Sequence, residues 1–121
     1  MSYRLIISVV SLFFLMSNML NAAPSTTRTP QFSNEKVSVW ETVIYPNKDQ
    51  VLKMHRHEHD RVVVAFTDGV LKITNDKGKV HYLKLQQNKA YYLTKDVPNE
   101  LHSDLNVSSH PIKVLVVELQ S

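Results

Sequence analysis

His55, His57 and His59 stand two residues apart in Met54-His55-Arg56-His57-Glu58-His59-Asp60-Arg61, so half of the six histidines fall within five residues. In an extended chain, side chains at i, i+2 and i+4 project from one face. Two imidazoles at that spacing lean toward a common point, which indicates a divalent transition metal (Fe, Mn, Ni, Cu or Zn) without fixing which one. Two ligands rarely make a useful site, so a third is expected from elsewhere. His102 is the candidate, because it follows a turn at Pro98 and sits in a strand-like segment. Asn106, four residues on, is expected to order the strand around it by hydrogen bonding.

Arg61 belongs to the same stretch but cannot be a ligand, because a guanidinium is always protonated and repels a cation. Pointing inward, it would hold a substrate carboxylate, sulfate or phosphate bidentately beside the metal. Turned outward at a bulge, it would pair with Asp60 or Glu58 as an ordinary solvated charge. His59 either completes the metal shell or serves on the substrate side as an acid–base group near neutral pH.

Other candidates carry less. His81 is expected at the surface and His110, before Pro111, in a solvated loop. Trp40, Phe66, Tyr91 and Tyr92 could line a pocket, although aromatics of small barrels more often fill the core. Ser103 and Asp104 beside His102 are not expected to form a hydrolytic triad, because consecutive strand residues point to opposite faces. Gly-x-Ser-x-Gly and Gly-rich phosphate loops are missing from the sequence, and so is cysteine.

The elements that must position these residues are strands. Residues 37–45, 51–55, 61–67, 70–74, 79–85, 90–94, 100–107 and 112–119 are rich in β-branched and aromatic side chains and are separated by Pro, Gly, Asn and Asp. Asp68-Gly69 and Asn75-Asp76-Lys77-Gly78 read as hairpin turns, with both glycines at positions that want positive φ. Eight short strands with tight connections and no helical period predict an all-β sandwich or barrel.

Residues 1–23 read as a targeting segment. Arg4 supplies the positive start, residues 5–16 are apolar apart from Ser8 and Ser11, and Asn21-Ala22-Ala23-Pro24 offers small residues for cleavage. That apolar run of about 12 residues falls short of the ~20 needed to span a bilayer, so export with cleavage is expected, without stable membrane insertion of the mature chain. A periplasmic or secreted location follows. Residues 24–36 are polar and contain two prolines, and are expected to form a flexible lead; residues 37–121 then make one domain.

The chain has 14 Lys and Arg against 11 Asp and Glu, a net charge of +3, and its basic residues are scattered singly. That pattern gives no footprint for nucleic acid. A small exported domain without cysteine must draw stability from its core, a metal or self-association, so a homodimer is expected.

The ordered motifs resemble those of the cupin superfamily. The first is His55-x-His57, followed by Arg61 where that family usually has Glu, then a strand to Gly69; the second is Pro98, His102 and Asn106. The resemblance covers about residues 37–119 and is similar in particular to small exported single-domain cupins. It implies a single-domain cupin jelly-roll β-barrel with His55, His57 and His102 as metal ligands. Arg61 at the usual carboxylate position leaves three arrangements open: a three-histidine site, a site completed by His59, or a metal-free anion pocket. Two functions follow. One is an enzyme acting on a small, anionic molecule by isomerase, lyase or oxygenase-type chemistry; the other is a non-catalytic module that binds metal or ligand.

Overall fold

Strands with one buried face must pair and stack so that alternate side chains meet in a common core. The computed structural model describes residues 26–47 and 51–120. The targeting segment read at residues 1–23 and the end of the turn expected at 46–49 lie outside them.

Among the described residues there is no helix, and nine strands follow in order: β1 (Thr27–Ser33), β2 (Val37–Ile44), β3 (Leu52–His55), β4 (Arg61–Ala65), β5 (Gly69–Asn75), β6 (Val80–Leu85), β7 (Ala90–Leu93), β8 (His102–Asn106) and β9 (Ile112–Leu119). They form a five-stranded sheet, β1-β2-β9-β4-β7, and a four-stranded sheet, β3-β8-β5-β6. All pairings are antiparallel. This is the expected all-β jelly roll.

Alternation decides what lies between the sheets. Trp40 and Ile44 of β2, Val63 and Ala65 of β4, and Ile112, Val114 and Val116 of β9 point in from one sheet; Leu71 of β5 and Leu85 of β6 meet them from the other. On β8 the same face carries His102, Asp104 and Asn106, all buried. Three polar side chains in a row on an inward face require local partners or a ligand.

Two expectations are corrected. Residues 27–33 are not a flexible lead: they form β1, joined to β2 through a turn in which Asn34 Oδ1 accepts from the backbone N–H groups of Lys36 and Val37 at 2.8 and 3.0 Å. Every β1 residue is exposed, so the hydrophobic alternation that marks the others is missing, and the strand is held by backbone pairing and by the Arg28 guanidinium 3.6 Å over the Trp40 ring. Pro30 is tolerated because β1 is an edge, and the register slips beside it.

Asp68-Gly69 is not a hairpin turn either. The chain there crosses from the five-stranded to the four-stranded sheet, since β4 pairs with β7 and β9 while β5 pairs with β6 and β8. Gly78, in the true hairpin between β5 and β6, takes the expected positive φ of 82°. Gly69 does not; it is needed because a Cβ there would lie 2.5 Å from Cδ1 of the fully buried Ile112.

Candidate metal centre

Strand β3 ends at His55, directly opposite His102 in the ladder with β8. Beyond it the chain leaves the sheet, and two reciprocal bonds fix it to the loop after β7: the His57 N–H donates to Asp96 Oδ2 at 2.5 Å, and the Asp96 N–H donates to the His57 carbonyl at 2.9 Å. A third clamp is Asp60, which accepts from Tyr92 Oη and from the Lys95 N–H, both at 2.7 Å. The Tyr92 hydrogen bond holds the Asp60 carboxyl below the usual carboxylate range.

These clamps bring the three imidazoles together. Ring centroids are 5.0 Å apart for His55 and His57, 4.4 Å for His55 and His102, and 5.5 Å for His57 and His102. One nitrogen from each lies within 4.8 Å of the others. His59 does not join them. The one-face argument needs an extended chain as far as residue 59, and β3 has already ended.

The three rings open onto a cavity of about 320 Å³ between the sheets. Arg28, Arg61 and Asp104 share its polar side with them, and Trp40, Ile44, Leu71, Leu85, Val114 and Val116 are among its apolar walls. A second opening of about 470 Å³ shares Arg61 and His102 and runs outward past Lys79, His81, Tyr92, Asp96 and Glu100.

Arg61 points inward and is only 8% exposed. It pairs with neither Asp60 nor Glu58. Its hydrogen bond is a long one, Nη1 to the Thr94 carbonyl at 3.4 Å, and among the described residues no carboxylate lies within ion-pair distance of it. Burial lowers its pKa, countered by the more distant Asp96 and Asp104.

Burial, reinforced by the Arg61 charge, pushes the His57 imidazole down to about 3. Burial also lowers His102, against the opposing pull of Asp104 and Asp96. Both rings are thus neutral at physiological pH, the form that binds a metal. The hydrogen bonds choose the nitrogen. His55 Nδ1 lies 2.7 Å from the Lys53 carbonyl, which can only accept, so the neutral ring keeps its lone pair on Nε2. His102 Nδ1 faces Asp96 Oδ2 at 3.3 Å, with the same consequence. A carboxylate or carbonyl behind the ring, as His55 and His102 have, is the usual support of a metal-binding histidine, so the residues fit a metal ion.

Two acidic residues join the site against expectation from the sequence, which gives Asp96 no role in it and sets Asp104 aside together with Ser103. Asp96 lies in a loop without a local signal. Asp104 lies two residues from His102, hence on the same face, and the parity argument that excludes Ser103 does not exclude it. Its Oδ2 is 3.5 Å from His55 Nε2 and its Oδ1 3.7 Å from His102 Nε2. Burial raises its pKa. Asn106 and His110 have structural roles: Asn106 Nδ2 donates to the Ile44 and His110 carbonyls at 2.8 Å, and His110 Nε2 is 2.7 Å from the Asp68 carbonyl. His81 is exposed, and Trp40 serves both core and cavity wall.

No protein-family model matches the chain. It is 31% identical over 101 residues to the β-alanine degradation protein BauB of Pseudomonas aeruginosa, covering 84% of this chain and 100% of that protein. Among solved structures it is similar to a cupin domain from Bordetella pertussis, with 27% identity, a TM-score of 0.69 and coverage of 83% of this chain and 98% of that one. A double-stranded β-helix protein from Klebsiella pneumoniae shares the fold at 17% identity, with a TM-score of 0.59 over 82% of this chain and 80% of that one. With its jelly roll, its ordered histidine motifs and these likenesses, the chain belongs to the cupin superfamily.

Proposed function

We propose that this cupin binds a divalent transition metal through His55, His57 and His102 and acts on a small anionic molecule held beside the metal by Arg61. One observation carries the reading: three clustered imidazoles and a buried guanidinium without an ion-pair partner among the described residues line the same cavity. A volume of about 320 Å³ is at the lower end for ligand sites, which suits a small metabolite.

A bound metal would supply Lewis acidity toward a carbonyl or oxygen donor of the ligand. The protein's own groups do the rest. Arg61 offers a forked donor to a carboxylate, and the apolar walls keep water away, which strengthens that contact. Asp96 and the Lys53 carbonyl hold the rings of His102 and His55 in one orientation. The name of the Pseudomonas relative refers to the degradation of β-alanine, a small carboxylate, which agrees with the class of ligand assigned to Arg61.

His59, the acid–base candidate of the sequence, lines neither cavity. That placement favours a second reading, in which the barrel captures metal and anion without turnover. Export through residues 1–23 and assembly as a homodimer belong to the same proposal; N-terminal sequencing of the exported protein and light scattering at micromolar concentration test them.

The central test is calorimetric titration with zinc, followed by small carboxylates, β-alanine among them. One zinc per chain is expected, abolished in the double variant His55→Ala, His57→Ala. Arg61→Ala should weaken carboxylate binding on the order of tenfold to a hundredfold, the worth of a charged hydrogen-bond pair. Zinc binding that survives the double histidine change overturns the metal reading; carboxylate binding indifferent to Arg61→Ala overturns the anion anchor.

A further inference from the structure

We infer that Asp104 is a direct ligand of the same ion, making the centre three imidazoles and one carboxylate. The inference rests on the three-histidine reading above. It follows from where β8 puts the side chain and from what that side chain lacks.

Asp104 is buried at 8% exposure and faces the cavity beside the histidines. Its two oxygens address two different rings, Oδ2 to His55 Nε2 at 3.5 Å and Oδ1 to His102 Nε2 at 3.7 Å. Those separations are long for hydrogen bonds. Each, to a different oxygen, is close to the spacing of about 3.4 Å that separates two donors on one ion with bonds of about 2.1 Å at a tetrahedral angle. The cluster within 4.8 Å holds the three histidines alone, so one Asp104 oxygen must turn toward the ion to join it.

The tautomers sharpen this. With Nδ1 of each ring committed to an acceptor behind it, Nε2 presents a lone pair, and Asp104 meets lone pairs with lone pairs. A cation between them turns that repulsion into coordination. Asp104 Oδ1 is in addition buried without a hydrogen-bond partner among the described residues. Charge points the same way: a divalent ion beside Arg61 places three positive charges against largely apolar walls, and Asp104 is the carboxylate among the lining residues of that cavity that can offset them, with Asp96 behind His102 as the next.

The experiment compares wild type, Asp104→Asn and the His55→Ala, His57→Ala pair. Zinc affinity is read by competition with a chromophoric chelator, and coordination by the visible absorption of the cobalt-loaded protein. Asp104→Asn keeps the shape but removes the charge; its zinc Kd should rise at least about tenfold, and the cobalt bands should change in position and intensity. A Kd within twofold of wild type overturns the inference, and so does a weaker Kd with unchanged cobalt bands, which would place Asp104 outside the coordination sphere. Loss of binding in the histidine pair together with wild-type behaviour of Asp104→Asn removes this inference and leaves the three-histidine site standing. Zinc binding retained by the histidine pair removes both. Should the variant not fold, a crystal of zinc-loaded wild type decides: an Asp104 oxygen within about 2.2 Å of the ion supports the assignment, and one beyond about 3 Å overturns it.

Discussion

Asp104 and Asn106 sit two residues apart on one face of β8, both buried, and the protein treats them in opposite ways. Asn106 is fully used. Its Nδ2 donates to the carbonyls of Ile44 and His110, and its Oδ1 accepts from the Ser108 N–H, all at 2.8 Å. Asp104 faces two histidine nitrogens at separations long for hydrogen bonds and keeps one oxygen without a hydrogen-bond partner among the described residues. A buried polar group whose partners are backbone belongs to the fold. One left waiting for a partner belongs to a site.

The largest effect that tests this contrast is expected at the closed end. Asn106→Ala leaves two carbonyls and one N–H unpaired, so unfolding free energy should fall by about 4 kcal/mol in urea titrations. Zinc affinity of the folded protein should not change. A loss of similar size in metal-free Asp104→Asn would break the comparison, since both residues would then be structural.

Gly69→Ala should come next. The added methyl would press on Ile112, which is fully buried, and cost about 2 kcal/mol by overpacking, again without touching metal affinity. At the open end the sign reverses. Metal-free Asp104→Asn should be more stable than wild type by about 1 kcal/mol, because it removes a buried charge and gains an N–H to offer the facing nitrogens. Excess zinc should restore the advantage to wild type through tighter binding, a crossover visible in thermal melts.

The same distinction explains what the sequence made legible. Strands with one buried face announced themselves through β-branched alternation, and His55, His57 and His102 through parity and order. β1 did not, because its residues stay exposed and it is held by the β2 backbone and one cation–π contact, Arg28 over Trp40. Asp68-Gly69 carried a turn signal that says where the chain bends, while the sheet it bends toward is set by long-range pairing. Asp96 reaches the site through the loop clamp with His57, a contact across 39 residues without a local trace, and from there faces His102. Asp104 was set aside with Ser103, although that argument holds for Ser103 alone: two places from His102, Asp104 shares its face.

The subtlest effect is a pH dependence confined to the open end. His57 is held near 3 in the fold against about 6.5 in the unfolded chain, so its contribution to stability is whole above pH 6.5 and drains away as pH falls toward 3. His102 acts in the same direction. Asp104, raised by burial, opposes them: below its folded pKa it takes up a proton that the unfolded carboxylate refuses until about pH 3.8, relieving a penalty as the solution is acidified. Metal-free wild type should therefore lose stability from pH 6.5 to 5, and His57→Gln should flatten that slope while Asn106→Ala leaves it parallel to wild type. Parallel slopes in all three proteins would mean that the open end titrates as ordinary surface, and the contrast along β8 would lose its electrostatic half.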